Sequence, residues 1–203
     1  MSGFLTLIFL FNLGYAQPMY LPPSEYGKAQ VVIPEAQIIR RENVFGQAPA
    51  FEPILDFPVG SLYWQIAQAV GRLDMLIEQG DKRFSIFCTA TLIAKDMAIT
   101  SYHCLPGYDP SMKVVGAQLR MDYLSGRLNG EPFEVGLEPL EQNQDLDYTI
   151  LKVYGDPGLK YGILPLKVRE PVEGEKLFMI HHPRGNPKQL TRGNCELYPA
   201  FWR

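Results

Sequence analysis

The chain has 203 residues, of which 46% are hydrophobic and 20% are charged, and its formal net charge is −3 at pH 7. This is the balance of an ordinary globular protein, and the weak negative charge argues against a protein that wraps nucleic acid or lies on an anionic membrane surface. The sequence also contains 18 glycines and 17 prolines, which favours many short strands over long helices.

Residues 1–16 have the pattern of a secretory signal peptide. The segment FLTLIFLFNLGYA is too short to span a bilayer, and Gly14 and Ala16 precede a cut before Gln17. The residues before this apolar segment include no Lys or Arg, although signal peptides usually carry a basic residue there. The alternative to a signal peptide is a buried strand or helix that begins the domain. We favour the signal peptide because a polar, proline-bearing stretch follows. We therefore expect a secreted or periplasmic protein whose mature form does not enter a membrane.

Residues 17–58 are rich in Pro, Gln and Glu and show no sustained period. This composition indicates a pro-segment or flexible arm. Arg40 and Arg41 lie where a processing protease could cut, and an ordinary solvated charge pair explains them equally well.

Short β-branched or aromatic runs follow from about residue 60, separated by turn residues such as EQGDK, PGYDPS and SGRLNGEP. Regular short strands with turns between them predict an all-β barrel or sandwich. In WQIAQAV, Ile66, Ala69 and Val70 have helical spacing, but we favour a strand there. The predicted strands are AQAVGRLDML, RFSIFCTATLIA, DMAITSYHC, KVVGAQLRMDYL, PFEVGLEPL, DLDYTILKVY, GILPLKV and EKLFMIHHP.

Three cysteines are present, and two of them, Cys88 and Cys104, end successive predicted strands. A turn near AKD would bring their sulfurs together, so a disulfide at the far end of this hairpin is reasonable. An odd cysteine count in an exported chain leaves one thiol free, or its partner lies in another chain or in missing sequence. Cys195 is that third cysteine.

His103 and a pair of aspartates are the candidate catalytic residues. A disulfide at Cys104 would hold the backbone of His103 rigidly, as a catalytic base requires. Asp145 and Asp147 lie where the strand DLDYTILKV enters the core, and an acid there needs a partner. A histidine N–H is one such partner and would fix the imidazole tautomer. The ordinary alternatives are a core or surface histidine and an aspartate that caps a turn or meets an arginine.

The segment FCTATLIAKDMAITSYHCLPG resembles the chymotrypsin-like serine proteases, in which Cys-Thr-Gly-Thr-Leu-Ile leads to Leu-Thr-Ala-Ala-His-Cys. The resemblance implies that His103 is the general base and that Cys88 and Cys104 form the disulfide beside it. It also implies a double β-barrel, with a first barrel at 59–168 and the start of an incomplete second barrel at 169–203. Two departures are Ala90, where glycine is usual, and Ser101-Tyr102 in place of Ala-Ala.

Two later segments extend the resemblance. DLDYTILKV is similar to the Asp-Tyr-Ala-Leu-Leu stretch that carries the orienting aspartate, which selects Asp147 over Asp145. IHHPRGNPKQLTRGNC resembles the early second barrel of the glutamyl-endopeptidase-like, largely bacterial branch of the family. The activity implied is that of a serine endopeptidase acting on a polypeptide substrate, with no cofactor.

The family's nucleophile is a serine in a Gly-x-Ser-Gly turn, and no serine follows Ser125 in this chain. Thr149 and Thr191 have no glycine-rich turn that would build an oxyanion hole. Without the nucleophile and the oxyanion hole, most of the rate enhancement is lost. We therefore expect an inactive fragment that ends before its nucleophile, which would also explain an unpaired Cys195. A catalytically dead homologue that binds proteins and a secreted structural β-protein are the alternatives.

His181 and His182 raise the hypothesis of a metal site. Adjacent residues of a strand point to opposite faces, and the sequence has no HExxH or CxxC spacing. We predict no metal site and interpret both histidines as polar residues at a strand end.

Overall fold

The structure is a computed structural model, and it describes residues 20–33, 51–105, 110–167, 169 and 172–192. The predicted signal peptide, the Arg40-Arg41 pair and Cys195 lie outside the described residues. No helix in the described part of the chain is long and apolar enough to cross a membrane.

Antiparallel strands dominate the described residues, as the turn-rich sequence predicts. Two helices, α1 (Leu62–Gln68) and α2 (Pro157–Tyr161), accompany them. The strands are β1 (Phe51–Pro53), β2 (Val70–Gln79), β3 (Lys82–Ala94), β4 (Met97–Thr100), β5 (Met112–Met121), β6 (Glu131–Glu134), β7 (Glu141–Asn143), β8 (Tyr148–Lys152), β9 (Met179–His181) and β10 (Gln189–Thr191).

The larger sheet has seven strands in the spatial order β6-β5-β2-β3-β4-β8-β7. Val135 and Val153, which directly follow β6 and β8, form a further antiparallel bridge. Beside this bridge, the Gly136 amide donates to the Lys152 carbonyl at 2.9 Å. Strand pairing therefore runs from β6 through β5, β2, β3, β4 and β8, and the bridge after β8 joins it back to the residue that follows β6. These strands surround a core that includes Leu73, Met75, Ile77, Leu92, Leu119 and Leu151.

A second, smaller sheet has the order β1-β10-β9. Phe51 pairs with Thr191, and Gln189 pairs with His181. Ile54 and Leu190 are fully buried in the apolar cluster of this sheet. β1 lies within residues 17–58, the stretch interpreted as a pro-segment or arm, because a three-residue strand is too short to show a period in the sequence.

Two strand predictions are wrong. WQIAQAV contributes to helix α1, whose first turn is capped by Ser61 through a bond from the Trp64 amide to its Oγ at 3.4 Å. Such a cap, followed by apolar residues at helical spacing, favours a helix. GILPLKV forms no strand over its described residues 162–167. Pro165 cannot donate to a ladder there.

Candidate active site

The fold brings His103 and Asp147 to the same edge of the larger sheet. β4 and β8 are antiparallel neighbours, with Thr100 opposite Thr149. His103 follows the end of β4 in a 3-10 turn, Tyr102–Cys104, and Asp147 immediately precedes β8. Because one strand ends where its partner begins, residues 44 positions apart in the chain become neighbours.

The Asp147 carboxylate contacts His103 at two points. Its Oδ2 lies 2.8 Å from the ring Nδ1, and its Oδ1 accepts a hydrogen bond from the His103 backbone amide at 3.0 Å. A carboxylate only accepts, so the ring proton is assigned to Nδ1 and the lone pair to Nε2. The two side chains are 30% and 34% exposed. Nε2 has no hydrogen-bond partner among the described residues.

A tight turn presents the Asp147 carboxylate. The Asp147 amide donates to the Gln144 carbonyl at 3.2 Å, and the Leu146 amide donates to Asn143 Oδ1 at 2.8 Å. Asp147 has a φ of 50°, in the left-handed region that Asp and Asn tolerate better than most residues. Asp145 is exposed on this turn and makes no hydrogen bond with His103. Asn143 was not singled out in the sequence, because its role depends on a local turn that strand periodicity does not reveal.

Cys88 and Cys104 form a disulfide, with 6.1 Å between their Cα atoms. The bond ties the turn that carries His103 to β3. The two departures from the family pattern are accommodated here, since the Ala90 methyl lies in the core at 1% exposure and Tyr102 is half-buried.

Removing this disulfide should destabilise the fold. The bond closes a loop of 16 residues, and the chain-entropy model assigns about 3 kcal/mol to a loop of this length. The double substitution Cys88→Ser and Cys104→Ser is expected to lower the free energy of unfolding by that amount in urea denaturation. Cys195→Ser is the control, because it leaves the Cys88–Cys104 bond in place. Equal losses in the two proteins would contradict the prediction.

The rings of His181 and His182 have different hydrogen-bond partners. His181 Nε2 is 2.8 Å from Thr191 Oγ1, and burial lowers the pKa of its ring. His182 is buried, its Nδ1 donates to the Asn186 carbonyl at 2.9 Å, and burial holds its pKa well below the usual value. Among the described residues, no group of three or more His, Cys, Asp and Glu side chains is placed to hold a metal ion.

A buried ion pair in β2 was not predicted from the sequence. Arg72 and Asp74 are both fully buried, and the guanidinium meets the carboxylate at two points, Nε to Oδ1 at 2.6 Å and Nη2 to Oδ2 at 3.0 Å. Phe87 and Tyr123 lie against the two sides of the guanidinium. The available signal was the spacing in VGRLDML, since residues two apart share one face of a strand.

Lys188 is a second buried charge that the sequence analysis missed. Its side chain is fully buried just before β10, and Nζ donates to the Ala67 carbonyl in the last turn of α1 at 2.6 Å. Burial lowers the pKa of the amine to about 8, and the nearby Asp122 opposes that shift.

Replacing Lys188 with methionine should stabilise the protein at neutral pH. Below pH 8 the amine is charged in both folded and unfolded states, and burying that charge costs about 3 kcal/mol. As pH rises from 8 towards 10.5 only the unfolded state stays protonated, so this cost disappears. We expect Lys188→Met to unfold at higher urea than the parent at pH 7 and to lose that advantage by pH 10. Tyr161, whose pKa is raised to about 12, titrates in both proteins and cancels in the comparison. An advantage that is independent of pH would contradict the prediction.

The family model of the trypsin-like peptidase domain matches residues 88–198. The chain belongs to this family. The match includes both cysteines of the disulfide, His103 and Asp147. The assignment made from the sequence is therefore confirmed at the level of the family. No curated protein matches the chain.

Solved structures similar to this trypsin-like peptidase domain include two proteases. One is the active form of the Rv3671c protease from M. tuberculosis, with 18% identity and a TM-score of 0.49, covering 74% of this chain and 59% of that one. The other is neuropsin, a serine protease expressed in the limbic system of mouse brain, with 15% identity and a TM-score of 0.33, covering 54% of this chain and 48% of that one. The chain thus spans less than two thirds of the length of either protein.

Proposed function

We propose that the protein is a serine-type endopeptidase in which His103 is the general base and Asp147 orients it. The observation that carries the proposal is the two-point contact of the Asp147 carboxylate with Nδ1 and the backbone amide of His103. That contact fixes the tautomer and places the lone pair on Nε2, as proton transfer from a serine nucleophile requires. Membership of the trypsin-like peptidase family supports the same activity.

In the proposed mechanism, Nε2 of His103 takes the proton from a serine hydroxyl as the hydroxyl oxygen attacks the peptide carbonyl. The imidazole then becomes a cation, and the Asp147 carboxylate, 2.8 Å from Nδ1, stabilises that charge. His103 returns the proton to the leaving amine. The partial exposure of both side chains leaves the ring accessible to a peptide.

The nucleophile is proposed to lie outside the 203 residues. The sequence has no Gly-x-Ser-Gly and no serine after Ser125. Thr149 is fully buried in β8, and Thr191 is buried in β10 beside His181, so neither residue is accessible to a peptide substrate. The 203-residue chain by itself is therefore proposed to be an inactive fragment. We place the complete protein in the glutamyl-endopeptidase-like branch on the similarity of residues 180–195.

Export to an oxidising compartment is part of the proposal. The disulfide between Cys88 and Cys104 supports it, because such bonds persist in secreted and periplasmic proteins and are rare in the cytosol. The apolar segment within residues 1–16 supplies the signal for export.

The transcript beyond codon 203 tests this function. A Gly-x-Ser-Gly segment within the next few dozen codons, in any frame, would supply the nucleophile, and the protein expressed with it should react with a fluorophosphonate probe. The 203-residue chain should not react. A reading frame without such a segment over about a hundred codons would contradict the proposal. If that shorter frame yields a stable, monomeric protein, the catalytically dead, protein-binding homologue is the better assignment.

A further inference from the structure

Residues 20–33, named the strap here, contact three strands of the larger sheet, although the composition of this stretch indicated a pro-segment or flexible arm. The strap begins by adding to the edge of β3. The Leu21 amide donates to the Ser85 carbonyl and the Ser85 amide donates to the Leu21 carbonyl, each at 2.8 Å. Tyr20 meets the ring of Phe84 edge-on, with centroids 4.7 Å apart. Leu21 is only 2% exposed, so the strap has an apolar anchor as well as a backbone pairing.

Two buried arginines of the sheet bind the middle of the strap. Arg72 in β2 donates to the Ala29 carbonyl at 3.0 Å and also to the Lys28 carbonyl. Arg120 in β5, which is 5% exposed, donates to the Gly27 carbonyl. Hydrogen bonds from charged donors are stronger than neutral ones, and leaving such donors unpaired when buried is costly. The strap therefore satisfies guanidinium groups that the sheet alone leaves without these acceptors.

The strap also holds its own shape. The Glu25 side chain, 7% exposed, accepts from the Val32 amide at 2.8 Å and from Lys28 Nζ at 3.2 Å. These bonds close a loop over residues 25–32. A segment that is ordered by its own contacts loses less conformational entropy when it binds, which favours tight association.

We propose that the strap stays bound to the sheet by noncovalent contacts alone when the polypeptide is cut between residues 33 and 51. The contacts described above join residues 20–33 to residues 72–120, and none of them needs the connecting chain. The proposal goes beyond the proteolytic function and stands without it. If a processing protease cuts at Arg40 and Arg41, the product is then a two-chain protein and not a domain that has lost its N-terminus.

A cut introduced into the full, folded chain tests the proposal. The sequence ENVFGQA, residues 42–48, becomes the tobacco etch virus protease site ENLYFQG by four substitutions: Val44→Leu, Phe45→Tyr, Gly46→Phe and Ala48→Gly. After complete cutting, we expect the N-terminal fragment to co-elute with the body in native size-exclusion chromatography at micromolar concentration. Intact mass spectrometry of the peak should show both pieces.

A matched pair of variants identifies the contacts responsible. Leu21→Ala, made in the cleavable chain, is expected to speed release of the fragment at least about 100-fold, the effect of a typical buried Leu→Ala change. Val32→Ala is the control, because Val32 is 72% exposed, and it should leave release unchanged. Gln30→Ala adds a second, milder variant on the strap, since its side chain donates to the Gly126 carbonyl. Immediate separation of the parental fragment after cutting, or equal release from the Leu21 and Val32 variants, would overturn the proposal.

Discussion

Replacing His103 with alanine, in a form of the protein that carries the nucleophile serine, is expected to lower kcat/KM for peptide hydrolysis by roughly 10⁶. Asp147→Asn is expected to lower it by roughly 10⁴, because the asparagine amide would favour the wrong imidazole tautomer. The roles behind both expectations rest on the contacts of Asp147 with Nδ1 and the backbone amide of His103. The measurement is steady-state hydrolysis of a peptide mixture by parent and variant.

Asp145→Asn is the matched control for this prediction. Asp145 lies two residues from Asp147 on the same turn, but its side chain is exposed. The same chemical change there should alter kcat/KM by less than about twofold, since exposed charges act weakly through water. A loss at Asp145 as large as that at Asp147 would contradict the assignment of the orienting carboxylate.

The 203-residue chain offers a second measurement that does not need the nucleophile. A proton on Nδ1 held by a carboxylate at 2.8 Å gives a downfield imidazole resonance in proton NMR. The resonance should be present in the parent and in Asp145→Asn, and absent in Asp147→Asn. Its persistence in Asp147→Asn would contradict the described pairing.

Arg72→Met should lower the free energy of unfolding by about 3–5 kcal/mol, because it leaves the buried Asp74 carboxylate without its main partner. The substitution also removes the donor to the Gly185 carbonyl, 2.8 Å away, and the donors to the strap. Burial already raises the pKa of the Asp74 carboxyl, and the Arg72 guanidinium opposes that shift. Without Arg72 the folded-state pKa rises further above the unfolded value, so the deficit should grow as pH rises from 4 to 7.

Arg83→Met is the control in the same sheet. Arg83 pairs with Glu78 across β2 and β3 at 2.9 Å, but its side chain is 58% exposed. An exposed pair of this kind contributes less than about 1 kcal/mol. The double substitution Arg72→Met and Asp74→Leu should recover much of the stability lost by Arg72→Met alone, since no unpaired charge stays buried. Equal urea midpoints for Arg72→Met and Arg83→Met would contradict the prediction.

Much of the larger sheet was predictable from the sequence, because its strands are long enough to show apolar periods between turn residues. The hairpin of β3 and β4 is the clearest case, since it turns at Lys95 and Asp96 as the AKD segment indicated. Several short elements were not predictable. β1, β7 and β10 each have three residues, and α1 depends on a cap by Ser61 that strand periodicity does not reveal.

The sequence by itself determined the family, through motifs that place Cys88, His103 and Asp147 in its order, and it shows that no serine follows Ser125. These features depend only on which residues occur and in what order. Only the tertiary structure shows how the Asp147 carboxylate reaches the histidine, because that contact depends on a turn and a left-handed φ at Asp147. It alone also decided that Arg72, Asp74 and Lys188 are buried and that residues 20–33 lie against the sheet. Burial and long-range pairing arise from the packing of segments that are distant in the chain, and local sequence patterns do not predict which segments will be in contact.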